Sequence, residues 1–152
     1  MATFYGFSGV LVRRTTAQSI PTSAVTKLVY DFERYDTDNS HTSSTTLPDR
    51  RDRLIAPRPG FYVIESRVRF APTTASGVWR LGYEINAEGE EWLAETWTTA
   101  GQSVQPTMMF AKTVLMDAKE YITIAVWQST GVAVNTSTVS GIAGAETVFR
   151  AL

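Results

Sequence analysis

Apolar and polar residues alternate in short runs along most of the chain, and turn-forming residues separate these runs. The clearest run extends from Phe61 to Phe70. One face of this run is apolar apart from Ser66 and carries Tyr62, Ile64, Val68 and Phe70. Alternation with a period of two is typical of a β-strand that buries one face. The pattern therefore predicts a protein built from strands, with almost no helix.

The same pattern predicts roughly eight to ten strands. They are Val10 to Arg14, Thr26 to Arg34, Leu54 to Ala56, Phe61 to Phe70, Val78 to Asn86, Trp92 to Thr98, Thr107 to Leu115, Tyr121 to Gln128, Val132 to Val134 and Ala145 to Leu152. Strands of this length and spacing are typical of sandwiches and barrels. The predicted fold class is all-β: one antiparallel β-sandwich with Greek-key or jelly-roll connections.

The strand from Tyr121 to Gln128 differs from the others because both of its faces are apolar. Ile122, Ile124 and Val126 point to one side, and Tyr121, Thr123, Ala125 and Trp127 point to the other. A sandwich covers only one face of a strand with its second sheet. A neighbouring subunit is the simplest source of the second cover, so the strand favours an oligomer.

Composition excludes several classes of function. The 152 residues are 43% hydrophobic and 19% charged, with a net charge of −1, which is typical of a globular domain without a basic surface for nucleic acid. No run of about 18 apolar residues is present, so no membrane insertion is expected. The chain has no cysteine and one histidine, His41, which excludes disulfides, thiolate sites and His-cluster metal sites.

Several segments, in this order, resemble the globular head domain of complement component one, subcomponent q, within the tumour-necrosis-factor-like jelly-roll superfamily. The similarity is greatest to the short versions carried by bacteriophages. The segments are Arg13 to Pro21, Tyr30 to Asp38, Leu54-Ile55-Ala56-Pro57 with Gly60-Phe61-Tyr62-Val63, and Ala118 to Ile122. In the last segment Lys119 stands where the family usually has Gly, so the turn there is expected to rely less freely on a positive φ.

The resemblance implies a homotrimer with both termini at the same end, formed by a jelly-roll domain over residues 10–152. Large aromatic residues dominate both cores and interfaces. The residues predicted for the subunit interface are Tyr62, Trp79, Tyr83, Tyr121, Ala125, Trp127 and Phe149. Residues 1–9 are predicted to be an N-terminal arm, in which Phe4, Tyr5 and Phe7 attach the trimer to a larger particle. The alternative is a terminus that attaches to nothing.

Candidate catalytic and metal-binding groups are few. Asp36-Thr37-Asp38-Asn39-Ser40 begins like an oxygen-rich calcium loop but lacks its Gly and distant Glu, so an Asx-rich turn is favoured. His41 beside Asp38 could form an acid–base pair, but no nucleophile motif accompanies it, and a solvated loop histidine is favoured. No catalytic residue, metal or cofactor is predicted, and the protein is not expected to be an enzyme.

Three further features of the sequence could contribute to binding or catalysis. The basic run Arg50-Arg51-Asp52-Arg53 could contact an acidic partner, a glycan or a neighbouring subunit, or be a solvated loop with one internal ion pair. The acidic hairpin with Glu88, Glu90, Glu91 and Glu95 could hold a glycosidase pair, or keep an exposed hairpin soluble. Among the aromatic residues, Trp92 and Trp97 are the best candidates for stacking on sugars.

The function predicted from these observations is that of a non-enzymatic phage virion protein. It would be a trimeric accessory or decoration protein on the capsid or tail surface, made in the host cytoplasm and bound to other virion proteins. The alternative is a host-recognition knob that binds a cell-surface glycan or protein. Resemblance of fold alone does not decide between them.

Overall fold

The computed structural model describes residues 8–42, 50–138 and 143–152. Within these residues the chain forms twelve strands and no α-helix. They are β1 (Gly9–Arg14), β2 (Ser19–Ile20), β3 (Thr26–Lys27), β4 (Phe32–Asp36), β5 (Arg53–Ile55), β6 (Gly60–Arg69), β7 (Gly77–Ile85), β8 (Glu91–Thr98), β9 (Thr107–Met116), β10 (Tyr121–Gln128), β11 (Val134–Asn135) and β12 (Ala145–Ala151). The longer strands agree closely with those predicted from alternation.

The strands form two antiparallel sheets that pack face to face. Sheet I has the order β4-β1-β12-β6-β9, and sheet II has the order β3-β10-β7-β8, with β5 also paired to β10. A small third sheet joins β11 to β2. Sequence neighbours often lie in different sheets, so the chain crosses the sandwich repeatedly. The predicted all-β antiparallel sandwich is confirmed.

The core lies between the sheets and is rich in large aromatic side chains. Tyr62 stacks on Phe149 within sheet I, with ring centroids 4.7 Å apart. Phe70, which directly follows β6, contacts Trp79 of sheet II with ring centroids 4.6 Å apart. All four residues are at most 1% exposed. Aromatic pairs at these separations contribute beyond the area they bury.

Three polar side chains are buried inside this core, and each has a hydrogen-bond partner within the group. The hydroxyl of Thr147 lies 2.6 Å from the Tyr30 hydroxyl and 2.9 Å from the Ser66 hydroxyl. Burial raises the pKa of the Tyr30 phenol, so this hydroxyl stays protonated. Because buried hydroxyls are costly without partners, the three side chains stabilise the sandwich only as a group.

The sequence predicted one continuous strand from Thr26 to Arg34, and this prediction is wrong: the segment contributes to two separate strands, β3 and β4. The chain leaves sheet II after Lys27 and joins sheet I at Phe32. Leu28 and Tyr30 are buried in the crossing, whereas Phe32, predicted on the same face, is 45% exposed. Alternation predicted the burial of Leu28 and Tyr30 correctly, but it did not show that the segment changes sheets before Phe32.

Candidate functional site

Most of the residues predicted for a subunit interface lie inside the single chain. Tyr62, Trp79, Ala125 and Phe149 are at most 1% exposed, and Tyr83 is 5% exposed. A side chain with almost no accessible surface cannot contact a neighbour unless the protomer rearranges, so Tyr62, Trp79, Ala125 and Phe149 belong to the packing of the protomer. Tyr83 lines an open surface pocket, and an interface there stays a prediction. Tyr121 and Trp127 are partly exposed, and an interface at these two stays a prediction.

The outer face of β10 is covered by side chains of the same chain. The Arg53 guanidinium lies 4.4 Å from the Tyr121 ring centroid, and the Arg80 guanidinium lies 5.2 Å from the Trp127 ring centroid. Long charged side chains can cover apolar surface with their stems while their heads stay in water. The second apolar face of this strand therefore needs no neighbouring subunit to cover it.

Between β10 and the β7–β8 hairpin, charged side chains on the same outer face form ion pairs with one another. Lys27 Nζ lies 2.8 Å from Glu84 Oε1 and 2.9 Å from Glu90 Oε1. The Thr123 hydroxyl donates to Glu84 at 3.1 Å. The hydrogen bond from Lys27 lowers the pKa of Glu90, so this carboxylate is ionised and paired.

The outer face of sheet I carries exposed apolar side chains instead. Phe61 is 56% exposed, Leu115 is 66% exposed, and the two are directly opposite in the β6–β9 register. Met109 of β9 is 65% exposed on the same face, and Leu152, whose N–H donates to the Phe61 carbonyl, is 74% exposed. We call this surface the β6–β9 face. Sequence alternation contained its signal, because Phe61 and Val63 point away from the predicted core.

Ion pairs that join β1, β12 and β6 flank the β6–β9 face. Glu146 of β12 lies 2.5 Å from Arg13 and 3.9 Å from Arg67, and Glu65 lies 3.6 Å from Arg150. An open groove of about 520 Å³ lies between these pairs and the apolar residues of β9. Its lining includes Glu65, Arg67, Met109, Ala111, Glu146 and Val148. The face thus combines apolar surface with charges of both signs.

The loop with Asp36 is an Asx-type turn. Asp36 Oδ1 accepts hydrogen bonds from the N–H groups of Ser40 at 2.9 Å and Asp38 at 3.3 Å, and Oδ2 accepts from the His41 N–H at 2.9 Å. These bonds turn the Asp36 carboxylate towards the backbone of its own loop, as an Asx-type turn requires. In the part of the chain that the structure describes, no group of three or more acidic or histidine side chains could hold a metal ion.

His41 is buried, so the prediction of a solvated loop histidine is wrong. Its Nδ1 lies 2.8 Å from Glu33 Oε1 and its Nε2 lies 2.9 Å from the Arg51 carbonyl oxygen. The ring also meets Tyr30 edge-on, with centroids 5.9 Å apart. The imagined pair with Asp38 does not form either. His41 instead links β4 to the segment before β5 and has a structural role.

The basic run is mostly packed against the protein. Of its four residues only Arg50 is exposed. Arg53 covers Tyr121, and its Nε lies 4.0 Å from Asp52 Oδ1. Burial raises the pKa of Asp52, and neither Asp52 Oδ1 nor Arg51 Nε has a hydrogen-bond partner among the described residues. The run is therefore neither a fully solvated loop nor an open cationic patch.

The acidic hairpin has no arrangement suited to glycoside hydrolysis. Glu91 accepts from the Tyr83 hydroxyl at 2.5 Å and from Lys112 at 2.9 Å, and Glu95 accepts from Arg80 at 2.7 Å. The bond from Tyr83, followed by that from Lys112, lowers the pKa of Glu91, whereas a general acid needs a raised one. Burial, followed by Glu91, raises the pKa of Tyr83 to about 12.

Trp97 is the exposed aromatic residue that sequence reasoning singled out. It lies near the end of β8, is 72% exposed, and borders a cavity of about 250 Å³. Trp92, the other candidate for stacking, is only partly exposed. The predicted attachment residues Phe4, Tyr5 and Phe7 lie outside the described residues.

Comparison with known proteins identifies the fold. No family sequence model matches the chain, and no curated protein matches it in sequence. Among solved structures, murine APRIL at pH 8.0 matches with a TM-score of 0.61 and 16% identity over 97% of this chain and 100% of that chain. Eiger TNF from S. frugiperda matches with a TM-score of 0.59 and 12% identity over 96% and 92%. The globular domain of a zebrafish complement 1qA protein matches with a TM-score of 0.57 and 10% identity over 95% of both chains.

These similarities cover nearly the whole chain and both sheets. The protein therefore has the jelly-roll fold of the TNF- and C1q-like proteins, as the order of its sequence segments predicted. At such low identity the comparison establishes the fold and leaves the function to the residues of this chain. No helix in the described part of the chain is long and apolar enough to cross a membrane.

Proposed function

We propose that the chain is a non-enzymatic structural protein of a bacteriophage virion. It acts as a homotrimeric accessory or decoration protein on the capsid or tail surface, where it contacts other virion proteins. The order of the sequence segments that resemble phage forms of the C1q head supports the phage assignment, and the paired carboxylates of the β7–β8 hairpin argue against hydrolysis. The observation that best supports assembly into a trimer is the exposed apolar surface of the β6–β9 face.

The β6–β9 face has the composition of a surface that is covered in an assembly. Contiguous exposed apolar surface is unfavourable on a soluble monomer and marks contact sites. Phe61 and Leu115 supply the large apolar side chains, while the pairs around Glu146 and Glu65 supply polar groups that can orient a neighbouring copy. Closed cyclic symmetry buries one such face in every protomer without leaving an open edge.

Sedimentation equilibrium of the purified chain tests the trimer. At micromolar concentration we expect three times the 16.8 kDa of one chain. Leu115→Asp places a charge beside Phe61 on the β6–β9 face and should release monomers, because a desolvated carboxylate without a partner is costly. Val132→Asp is the matched control, since Val132 is 52% exposed in the turn after β10, away from sheet I.

Two results would contradict the assembly proposal. One is a parent chain that sediments as a monomer at every concentration up to about 100 μM. The free energy of association would then be too small for a functional trimer. The other is a Leu115→Asp variant that keeps the parental mass. In the second case the protein assembles through another surface, and Tyr121 and Trp127 become the next candidates.

A host-recognition knob is the second candidate function, and one observation favours it. Trp97 exposes a large aromatic surface beside a cavity formed by the end of β8, the loop that follows it and Thr107 at the start of β9. Exposed aromatic side chains are enriched where proteins bind partners. Decoration and recognition predict different positions on a particle: many symmetric copies over the capsid, or few copies at a tail tip. Immunogold labelling of intact particles separates them.

A further inference from the structure

The cavity beside Trp97 has neutral polar walls. Trp97 forms one side at the end of the edge strand β8, and the loop from Thr99 to Pro106 forms the other. Its lining contains no ionisable side chain. The polar and aromatic members are Thr96, Trp97, Thr99, Gln102, Gln105 and Thr107. A charged ligand would find no countercharge on these walls.

Several of these polar side chains are available to a ligand. Thr96, Thr99, Gln102 and Thr107 make no side-chain hydrogen bond within the residues that the structure describes. A threonine hydroxyl can donate one hydrogen bond and accept two, and the glutamine amide can donate two and accept two. The cavity thus offers donors and acceptors next to an exposed indole face.

Neighbouring groups hold the walls in place. The Thr98 hydroxyl accepts from Trp79 Nε1 at 3.1 Å and donates to the Ala75 carbonyl at 2.8 Å. The Gln105 side chain accepts from Arg69 Nη2 at 2.5 Å and donates to the Ser137 hydroxyl at 3.2 Å. A site held by such contacts loses less entropy when a ligand binds.

The size of the cavity limits its ligand. Its volume of about 250 Å³ is roughly eight times the share of one water molecule in the liquid. It is also smaller than the roughly 300–1,000 Å³ typical of sites for drug-sized ligands. One six-membered ring with its substituents fits these limits, and the openness of the mouth leaves room for a chain attached to that ring.

We propose that this cavity binds one ring of a neutral carbohydrate. A pyranose has a face of C–H groups, whose positive hydrogens suit the negative face of an indole, and hydroxyls at its rim that match threonine and glutamine. Trp97 stacks on the C–H face, and Gln102 with the nearby threonines binds the hydroxyls. The neutral walls select against acidic sugars. The inference deepens the recognition function proposed above but does not depend on trimer formation, because one protomer supplies the whole cavity.

Nuclear magnetic resonance of the tryptophan indoles tests the proposal. The four tryptophans give four indole N–H signals, and the Trp97→Phe variant identifies that of Trp97. Glucose, galactose, mannose, N-acetylglucosamine and N-acetylgalactosamine are each titrated to about 50 mM, since single sugar rings bind with millimolar affinity when few contacts form. We expect at least one of them to shift the Trp97 signal in a saturable manner, and the Trp79 signal to shift less.

Variants then separate stacking from a general surface effect. Isothermal titration with the sugar that binds best should show at least a tenfold loss for Trp97→Ala, a smaller loss for Trp97→Phe, and a loss of a few-fold for Gln102→Ala. Phe61→Ala is the control, because Phe61 is similarly exposed but lies on the other sheet. It should bind as the parent does, and so should Leu115→Asp, even as a monomer.

The proposal is overturned if none of the five sugars shifts the Trp97 signal, or if Trp97→Ala binds the best sugar with parental affinity. Stronger binding of N-acetylneuraminic acid than of every neutral sugar would overturn the neutral selectivity. A thermal melt of each variant checks folding, and because Trp97 and Gln102 are exposed, we expect melts that overlay the parent.

Discussion

Lys119 has a backbone conformation that residues other than glycine rarely adopt. Its φ angle is +73°, and its N–H donates to the Ala56 carbonyl at 2.8 Å in the turn between β9 and β10. The C1q-head family usually has glycine at this position, so a lysine here predicts a turn that relies less on a positive φ. The turn uses positive φ nevertheless, and the lysine accommodates it at an energetic cost.

We therefore expect Lys119→Gly to stabilise the protein. Removal of the Cβ relieves about 1–2 kcal/mol of left-handed strain, from which the greater entropy of glycine in the unfolded chain subtracts part, leaving about 1 kcal/mol. Urea unfolding of the two proteins measures the difference. Lys119→Ala, which removes the charge but keeps the Cβ, should match the parent. A glycine variant less stable than the parent would show that the turn holds no such strain.

At the scale of elements, Asp31 joins the β1–β2 loop to the crossing between β3 and β4. Its two carboxylate oxygens accept hydrogen bonds from the N–H and hydroxyl of Thr15 and of Thr16, at 2.6–3.0 Å. Burial acts to raise the pKa of Asp31, but these hydrogen bonds outweigh it and the pKa is lowered. The carboxylate thus holds together two segments that have no strand pairing with each other at this point.

This lowered pKa predicts a pH-dependent contribution to stability. A carboxyl group with a lower pKa in the folded state stabilises that state above its unfolded pKa of about 3.9, and the contribution is lost as the pH falls through the folded value. The difference in unfolding free energy between the parent and Asp31→Ala should be constant from about pH 7 to 5 and shrink below about pH 4. Glu88→Gln, at an exposed carboxylate of the β7–β8 turn, is the control. A difference that does not change with pH would contradict the assignment.

The sequence predicted the strands accurately where a segment stays in one sheet, and failed where a segment passes from one sheet to the other. Strands such as β6 and β10 were predicted within a residue of their observed bounds, because one face of each is continuously buried. The segment from Thr26 to Arg34 was misread because its alternation continues across a change of sheet. The bonds that fix the crossing come from Thr15 and Thr16, which are distant from Asp31 in sequence, and periodicity does not detect them.

At the scale of the whole molecule, the sequence predicted the jelly roll more reliably than its surfaces. Apolar alternation identified β10 as unusual, yet the cover of its outer face comes from Arg53 and Arg80, whose positions depend on the fold. Phe61 and Leu115 are 54 residues apart in sequence, so only the register of β6 and β9 brings this exposed pair together. Trp97 was recognised as a candidate, but the neutral loop opposite it was not.

Removal of the predicted arm tests the proposed attachment to a particle. Deletion of residues 1–7 should leave the jelly roll folded, because β1 begins at Gly9 and pairs along its length with β12. It should weaken binding to the particle, since Phe4, Tyr5 and Phe7 could bury apolar area worth roughly 25 cal/mol per Å². The measurement is the number of copies that bind to particles lacking the protein.

One further variant and two possible outcomes make the result of that deletion interpretable. Replacement of Phe4, Tyr5 and Phe7 by serine keeps the length of the arm and should reproduce the loss if the aromatic side chains attach it. Full occupancy by the deleted protein at parental affinity would contradict the attachment role. Loss of the trimer itself would mean that the arm packs within the assembly instead.

The position of β12 has a consequence for how the chain is made. This strand, last in the sequence, lies between β1 and β6 in the interior of sheet I, and Gly9 at the start of β1 is the partner of Arg150 near its end. A ribosome delivers β1 more than a hundred residues before the strand that completes its sheet. Until then β1 and β6 leave open edges to other nascent chains, and closing so long a loop is slow. Synthesis in the cell therefore leaves the edges of β1 and β6 open to misassembly until β12 has been made.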